Sequence, residues 1–303
     1  MIKFLHRRHI DDEKWNRVLS LSRYETIYPH SWYLDACTEH WAAFVMNEYE
    51  CIMPVAFRSK LGLRYTYQPR FCQQLGIYSE LRVDNEVSRM FLHALNKRFK
   101  LGDYAFNEGN LLDDEPGFDV TDNANYILDI REPYETILKG YTENCRRNIK
   151  KALNTGLEFT DSIDIHDLVY LKKMNDSAEH DDAHYRFLTL MFKTLQNQNR
   201  VKVFGVKLET HICAAAIFAF SGKRMHYLLS FSSETGKKRR AMFMVIDSVI
   251  TMYANENLTL DFEGSNIPSI ARFFRGFGAK PQIYQRVSFQ NTTSKLIEII
   301  KRG

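Results

Sequence analysis

The stretch LTLDFEGSNIPSIARFFRGFGAKPQIYQ, Leu258 to Gln285, sets the reading of the whole chain. Leu258, Leu260 and Phe262 alternate with Thr259 and Asp261, which predicts a strand. Asp261, Glu263 and Gly264 close it. Pro268 stands where a helix starts and Gly276 where one stops, so PSIARFFRGFG predicts a short helix. IYQRVSF, Ile283 to Phe289, predicts a further strand. Strand, helix, strand is the unit of an α/β sheet, whose sites lie beyond the carboxyl ends of the strands. Asp261 and Glu263 flank Phe262, so both acids are expected on one face of the strand.

Upstream, VKVFGVKL (201–208), HICAAAIFAFS (211–221) and RMHYLLSFS (224–232) predict three strands, and AMFMVIDSVITMYANEN (241–257) a helix. An antiparallel meander leading into alternating strands and helices is a mixed α/β sheet domain. YTENCRRNIKKALNTG (141–156) predicts a helix with Thr142 as N-cap and Gly156 as its stop. DIHDLVYLKKMND and HYRFLTLMFKTLQNQ predict two more.

The first half is less regular. DDEKWNRVLSLS predicts an amphipathic helix, and Trp41–Ser59 two strands around a turn at Asn47–Glu50. Pro54 is expected to make the second of these an edge or a bulge. LRYTYQP predicts a strand and Glu86–Lys100 a helix. Asn107–Asn125, rich in acids, Gly, Pro and Asn, reads as a loop and domain boundary. The expected domains are therefore 1–125 and 126–303. At an offset of 160, Phe44, Arg64 and Tyr67 match Phe204, Arg224 and Tyr227, which raises an internal duplication.

Composition narrows the class. The chain has 303 residues, 45% hydrophobic and 26% charged, as in a folded globular protein. Its net charge of +4 makes local basic clusters more informative than the total. Five cysteines without a C-x-x-C pair argue against a disulfide framework or a cysteine zinc site. MIKFLHRRHI has no apolar leader, and Ile212–Phe220 is too short to span a bilayer, so a cytoplasmic protein is expected.

Three stretches carry a family resemblance: QPRFCQQLGIYS (68–79), YTENCRRNIKKALNTGLEF (141–159) and DFEGSNIPSIARFFRGFGAKP (261–281). In that order, they resemble Fem-like proteins of the peptidoglycan-bridge type. The resemblance implies two tandem GNAT-like acyltransferase domains, the N-terminal one degenerate. It implies N-acyl transfer from an activated donor, aminoacyl-tRNA or acyl-CoA, to an amine acceptor such as a muramyl peptide of a cell-wall precursor. No tightly bound cofactor and no metal is expected.

Such chemistry needs a group to take the amine's proton, donors for the oxyanion, and cations for the donor's phosphates. Glu263 is the expected base or amine anchor, with a helix cap or an ion pair to Arg272 or Arg275 as the structural alternative. Tyr284, like Tyr227, is a candidate to orient the acyl carbonyl, with a core or rim tyrosine as the alternative. Arg146, Arg147, Lys150 and Lys151 form a basic stripe on one helix, and Arg272 and Arg275 lie three apart on another. The resemblance puts a lysine where this chain has Phe274. It also implies, for CoA users, a loop patterned [QR]-x-x-G-x-[GA], but here Arg240 fills the glycine position and Gly236 alone remains upstream. Lys237 and Arg240 are then expected to bind phosphates by side chain, which fits an RNA-borne donor better than CoA. His180 and His184 are spaced for a metal, although a helix start explains them equally. Two other readings stay open: a non-catalytic module binding RNA or a phosphorylated ligand, and a CoA-dependent acetyltransferase of a small amine.

Overall fold

The computed structural model describes residues 1–290 except Leu61, Leu111, residues 177–179 and Ser265. The chain divides into two compact units: Met1–Ala124 with Gln282–Gly303, and Asn125–Pro281.

Unit 1 opens with β1 (Ile2–His6), a 3-10 turn (Arg7–His9), α1 (Asp12–Leu21) and α2 (Ser31–Cys37). The carboxylate of Asp11 accepts the N–H groups of Glu13 and Lys14 and so caps α1, whose Trp15, Val18 and Leu19 are buried. β2 (Trp41–Met46) and β3 (Cys51–Lys60) form the expected hairpin; Asn47 and Tyr49 take positive φ in its turn. β4 (Leu63–Thr66), β5 (Tyr78–Ser79), α3 (Asn85–Arg98) and β6 (Leu101–Ala105) follow. β3 is neither an edge nor bulged at Pro54. β2 covers one side, while on the other β5 pairs with Cys51–Ile52 and β4 with Phe57–Lys60. Pro54 falls in the gap between those partners, where a missing N–H costs no ladder bond, and its carbonyl accepts the Tyr104 hydroxyl at 2.7 Å.

β7 (Phe118–Asp129) begins inside the stretch expected to be a loop and runs through the division between the units. Unit 2 continues with α4 (Tyr134–Lys139), α5 (Glu143–Leu153), β8 (Glu158–Thr160), α6 (Ile165–Asn175) and α7 (Asp182–Asn197). Next come β9 (Val201–Leu208), β10 (His211–Ser221), β11 (Arg224–Ser232), α8 (Glu234–Arg239), α9 (Ala241–Tyr253), β12 (Thr259–Gly264) and α10 (Pro268–Gly276). β10 is buried from Cys213 through Ala219. α9 packs on it through Met244, Val245, Ile246, Val249 and Ile250. Each such aliphatic side chain, fully buried, contributes roughly 1.5–3 kcal/mol.

β13 (Lys280–Gln290) corrects the expected 126–303 domain. Arg286 to Gln290 pair antiparallel with Ala105 to Leu101 of β6, so the last strand belongs to unit 1. The strand order in unit 1 is β1-β2-β3-β4-β6-β13; in unit 2 it is β8-β9-β10-β11-β12-β7. β4 and β6 are parallel and joined through α3; β11 and β12 are parallel and joined through α9. The final pair is antiparallel in both. The same plan occurs twice, as the matches at offset 160 anticipate.

Candidate functional site

In unit 2, β11 and β12 pair only over Arg224–His226 and Thr259–Asp261. Beyond that, aromatic rings fill the space: Phe262 stacks on Phe274 at 4.8 Å, and Tyr227 lies 6.2 Å from Phe262 and 6.1 Å from Phe274. Burial pushes the Tyr227 hydroxyl up to about 12. Phe274, where the Fem-like resemblance implies a lysine, is therefore a core residue.

Beside these rings, α5, α10 and the start of α9 enclose a cleft of about 440 Å³. α5 presents Asn144, Arg147, Asn148 and Lys151; α10 presents Ser269, Arg272, Phe273 and Gly276. Both sets follow the spacing i, i+3, i+4, i+7, a single helix face. α9 adds Arg240 and Phe243, and Cys145 completes the lining. Four cations therefore meet with no acid among the lining residues. Arg147 is oriented by a hydrogen bond to Asn144 Oδ1 at 2.9 Å.

Arg240 has φ 63° and ψ 30°, the left-handed conformation that favours glycine. It ends α8 and precedes α9, so the backbone turn is that of a glycine while an exposed arginine projects from it. α9 starts with no side-chain cap and no acid in its first turn, leaving its positive end uncompensated. α8 is a helical turn in place of an open glycine-rich loop. Gly236 is required there: a Cβ would sit 2.2 Å from the Cys213 carbonyl oxygen.

The helix faces also sort the other predicted residues. Arg146 lies one position off the lining face of α5 and donates to the carbonyls of Leu138 and Lys139, at 2.9 and 3.0 Å, capping α4. Lys150 is exposed, one position from Lys151, and does not line the cleft. Lys237 pairs with Glu234 at 2.7 Å on the surface of α8. Arg275 is exposed one position from Gly276, its Nε 3.4 Å from the Ala271 carbonyl. Of the set expected to bind phosphates, Arg147, Arg240 and Arg272 come together. Asn144, Asn148, Phe243, Ser269 and Phe273 were missed. The spacing on α5 and α10 was the signal that could have found most of them.

Glu263 does not share a face with Asp261. The β12–β7 register shifts between Asp261 and Gly264, and Glu263 has φ 60°. A bulge breaks the period of two on which the expectation rested. Asp261 is fully buried and accepts from Arg224 at 3.0 Å, Asn125 at 3.2 Å and the Glu263 N–H at 2.8 Å. It thereby holds Glu263 in its left-handed conformation. Half-buried Glu263 heads the loop into α10, outside the cleft lining. Tyr284 lies on β13, in unit 1.

Beneath the cleft, Asp247 lies seven residues beyond Arg240 on α9 and accepts the Tyr134 hydroxyl at 2.9 Å. Burial raises its carboxyl above the usual range against that hydrogen bond. Burial, with Asp247 nearby, pushes the Cys145 thiol up to about 12, so it is protonated at neutral pH and no nucleophile. The rings of His180 and His184 stack at 4.1 Å; among the described residues no group of three metal-ligating side chains assembles. Also among the described residues, no helix is long and apolar enough to cross a membrane.

Residues 140–268 match the model of a GNAT acetyltransferase domain. No curated protein sequence matches the chain significantly. Among solved structures, FemX is similar with a TM-score of 0.69 at 12% identity, covering 98% of this chain and 99% of that one. A tandem GNAT protein from the clavulanic acid biosynthesis pathway is similar with a TM-score of 0.54 at 10% identity, covering 97% and 100%. L-PGS from Bacillus licheniformis is similar with a TM-score of 0.51 at 12% identity, covering 96% and 95%. At such identities the likeness is one of fold: the chain has a GNAT-type acyltransferase fold, shared with tandem GNAT proteins.

Proposed function

We propose that the protein is an N-acyltransferase whose unit 2 cleft grips the phosphates of an activated acyl donor, which then passes its acyl group to an amine. The observation that carries this reading is the acid-free rim of Arg147, Lys151, Arg240 and Arg272 at three helix starts and faces. Charge-assisted contacts from guanidinium groups and an uncapped helix N-terminus are what a phosphate needs. An RNA-borne donor, aminoacyl-tRNA, fits better than acyl-CoA. Arg240 fills the position where a glycine would let backbone N–H groups close on a pyrophosphate, and α8 is wound into a helical turn. Phe243 and Phe273, whose rings lie 4.8 Å apart at the cleft, offer an apolar wall to a base or an aminoacyl side chain.

On this reading Glu263 takes the proton the amine loses on attack. Its support is its place at the end of β12, in the loop leading to the α10 face. The Fem-like resemblance makes a muramyl peptide the first acceptor to try. Binding without transfer is a second reading, favoured by the burial of Phe274 where the family carries a lysine.

Transfer should be followed with aminoacyl-tRNA and with acetyl-CoA, in the wild type and in Arg240→Ala/Arg272→Ala. Each lost charged contact is worth about 1.5–3 kcal/mol, so the double variant should lose roughly a hundredfold or more in kcat/KM. Glu263→Gln should lower kcat with donor affinity kept. Wild-type donor binding without turnover would favour the second reading. Turnover unchanged in the double variant would remove the cleft from the mechanism.

A further inference from the structure

Unit 1 gathers cations on a surface of its own. Arg8 and His9 come from the turn after β1, Arg64 from β4, and Lys97, Arg98 and Lys100 from the end of α3; all are exposed. Specific contacts bring these elements together. The Lys100 N–H donates to the Arg64 carbonyl at 3.3 Å, and the Arg98 guanidinium lies 4.5 Å over the Phe4 ring of β1. Partial burial first, and then the nearby charges of Arg98, Arg64, Arg8 and His9, hold the His6 imidazole below its ordinary pKa.

Rings alternate with these charges. His40 stacks on Phe57 at 6.2 Å, and His6 meets the same ring edge-on at 6.2 Å. Between them runs a groove of about 440 Å³, lined by His6, Arg8, His40, Trp41 and Phe57 among others. Of its acids, Asp35 is neutralised by Arg7 at 3.0 Å, and Glu39 stands at the rim.

We propose that this face of unit 1 binds RNA, with phosphates on Arg8, Arg64 and Arg98 and bases against His40 and Phe57. The inference rests on the reading of an RNA-borne donor. In a chain of net charge +4, so many cations in one place are a local concentration and not a general excess. Cations interleaved with rings suit a ligand that carries phosphates and planar bases. A lipid surface would call for projecting apolar side chains. Among the described residues, none of the large exposed ones lies on β1, on the β3–β4 hairpin or in the last turn of α3.

The test is binding of uncharged bulk tRNA, by anisotropy across a salt series, to the full-length wild type and to Arg8→Gln/Arg64→Gln/Arg98→Gln. Vesicles rich in phosphatidylglycerol form a parallel arm. The triple variant should bind tRNA at least tenfold more weakly, and its salt dependence should flatten by about three phosphate contacts. The single variants Arg8→Gln and Arg64→Gln should each show part of that loss, which keeps the test valid if the triple misfolds. Equal tRNA binding with an equal salt slope, or wild-type binding to vesicles and not to tRNA, would overturn the proposal. Transfer from a short 3′-aminoacyl oligonucleotide and from acetyl-CoA is read separately. Acetyl-CoA used while the oligonucleotide is not would sink the donor reading, whatever the tRNA result.

Discussion

The two units share one strand plan and differ at the same point in it. In each, a helix joins two parallel strands, and a cleft opens at that helix's start. In unit 2 the helix is α9, begun by Arg240 without a cap and without an acid in its first turn. In unit 1 it is α3. Asp84 caps it by accepting the Val87 N–H at 2.8 Å, Glu86 follows, and both line a cleft of about 900 Å³ with nearly buried Glu108. One helix start offers its positive end to an anion, while the other has already satisfied that end with carboxylates of its own chain. Seven residues from the N-cap the contrast repeats: α3 buries Phe91, whereas α9 carries half-buried Asp247. A duplicated fold thus does not duplicate a site; a few side chains at one helix end set the sign of the charge each cleft presents.

The contrast can be broken most sharply by giving α9 the charge of α3. Arg240→Asp removes a cation and adds an anion where the donor's phosphates are proposed to lie. It should lower kcat/KM for transfer by more than about a hundredfold, measured with the best donor found, while the fold persists. Activity near that of the wild type would mean that the charge at this helix start does not matter.

A smaller effect is expected in unit 1. Asp84→Ala removes an N-cap and should cost about 1 kcal/mol, seen as a drop of a few degrees in Tm, with donor binding unchanged. A loss of donor affinity would mean that the two helix starts are not functionally separate.

The smallest effect is one of pH. Burial raises the Asp247 carboxyl, so the folded state holds that proton more tightly than the unfolded chain does. Stability from this group is therefore greatest at low pH. It declines as pH rises from the ordinary aspartate range through the raised value, and then levels off. Asp247→Asn keeps an acceptor for Tyr134 and cannot titrate. Its Tm should gain on the wild type across that window, and a difference independent of pH would show that the carboxyl is not perturbed as described.

The longer helices of unit 2 were legible because their signals are local, whereas the six-residue α4 and α8 were not foreseen. Thr142 caps α5, accepting from the Cys145 N–H, and Pro268 opens α10, as their sequences indicate. The meander β9–β10–β11 keeps the bounds its sequence predicts, to the last position. The start of β7 was hidden, because DVTDNAN has the composition of a loop and becomes a strand only beside its partners. Glu263 was misplaced for a related reason. Strand periodicity assumes an unbroken ladder, and the bulge after Asp261 arises from contacts to residues far away in sequence. In the candidate site, Arg147, Arg240 and Arg272 could be named from composition and resemblance. Arg146, Lys150 and Arg275 carry the same charge on the same helices but sit about 100° around them, and only packing shows which face meets the cleft.

The sequence by itself determined the unit 2 meander and its longer helices, the mixed α/β class and the supply of cations, since period, caps and composition act within a few residues. Tertiary structure alone decided which cations converge and where the last strand pairs. It also buried Phe274, where the resemblance implies a lysine, and turned the backbone of Arg240 as a glycine would turn it. Those outcomes depend on which faces pack together and on contacts between residues far apart in the chain, which no local pattern encodes.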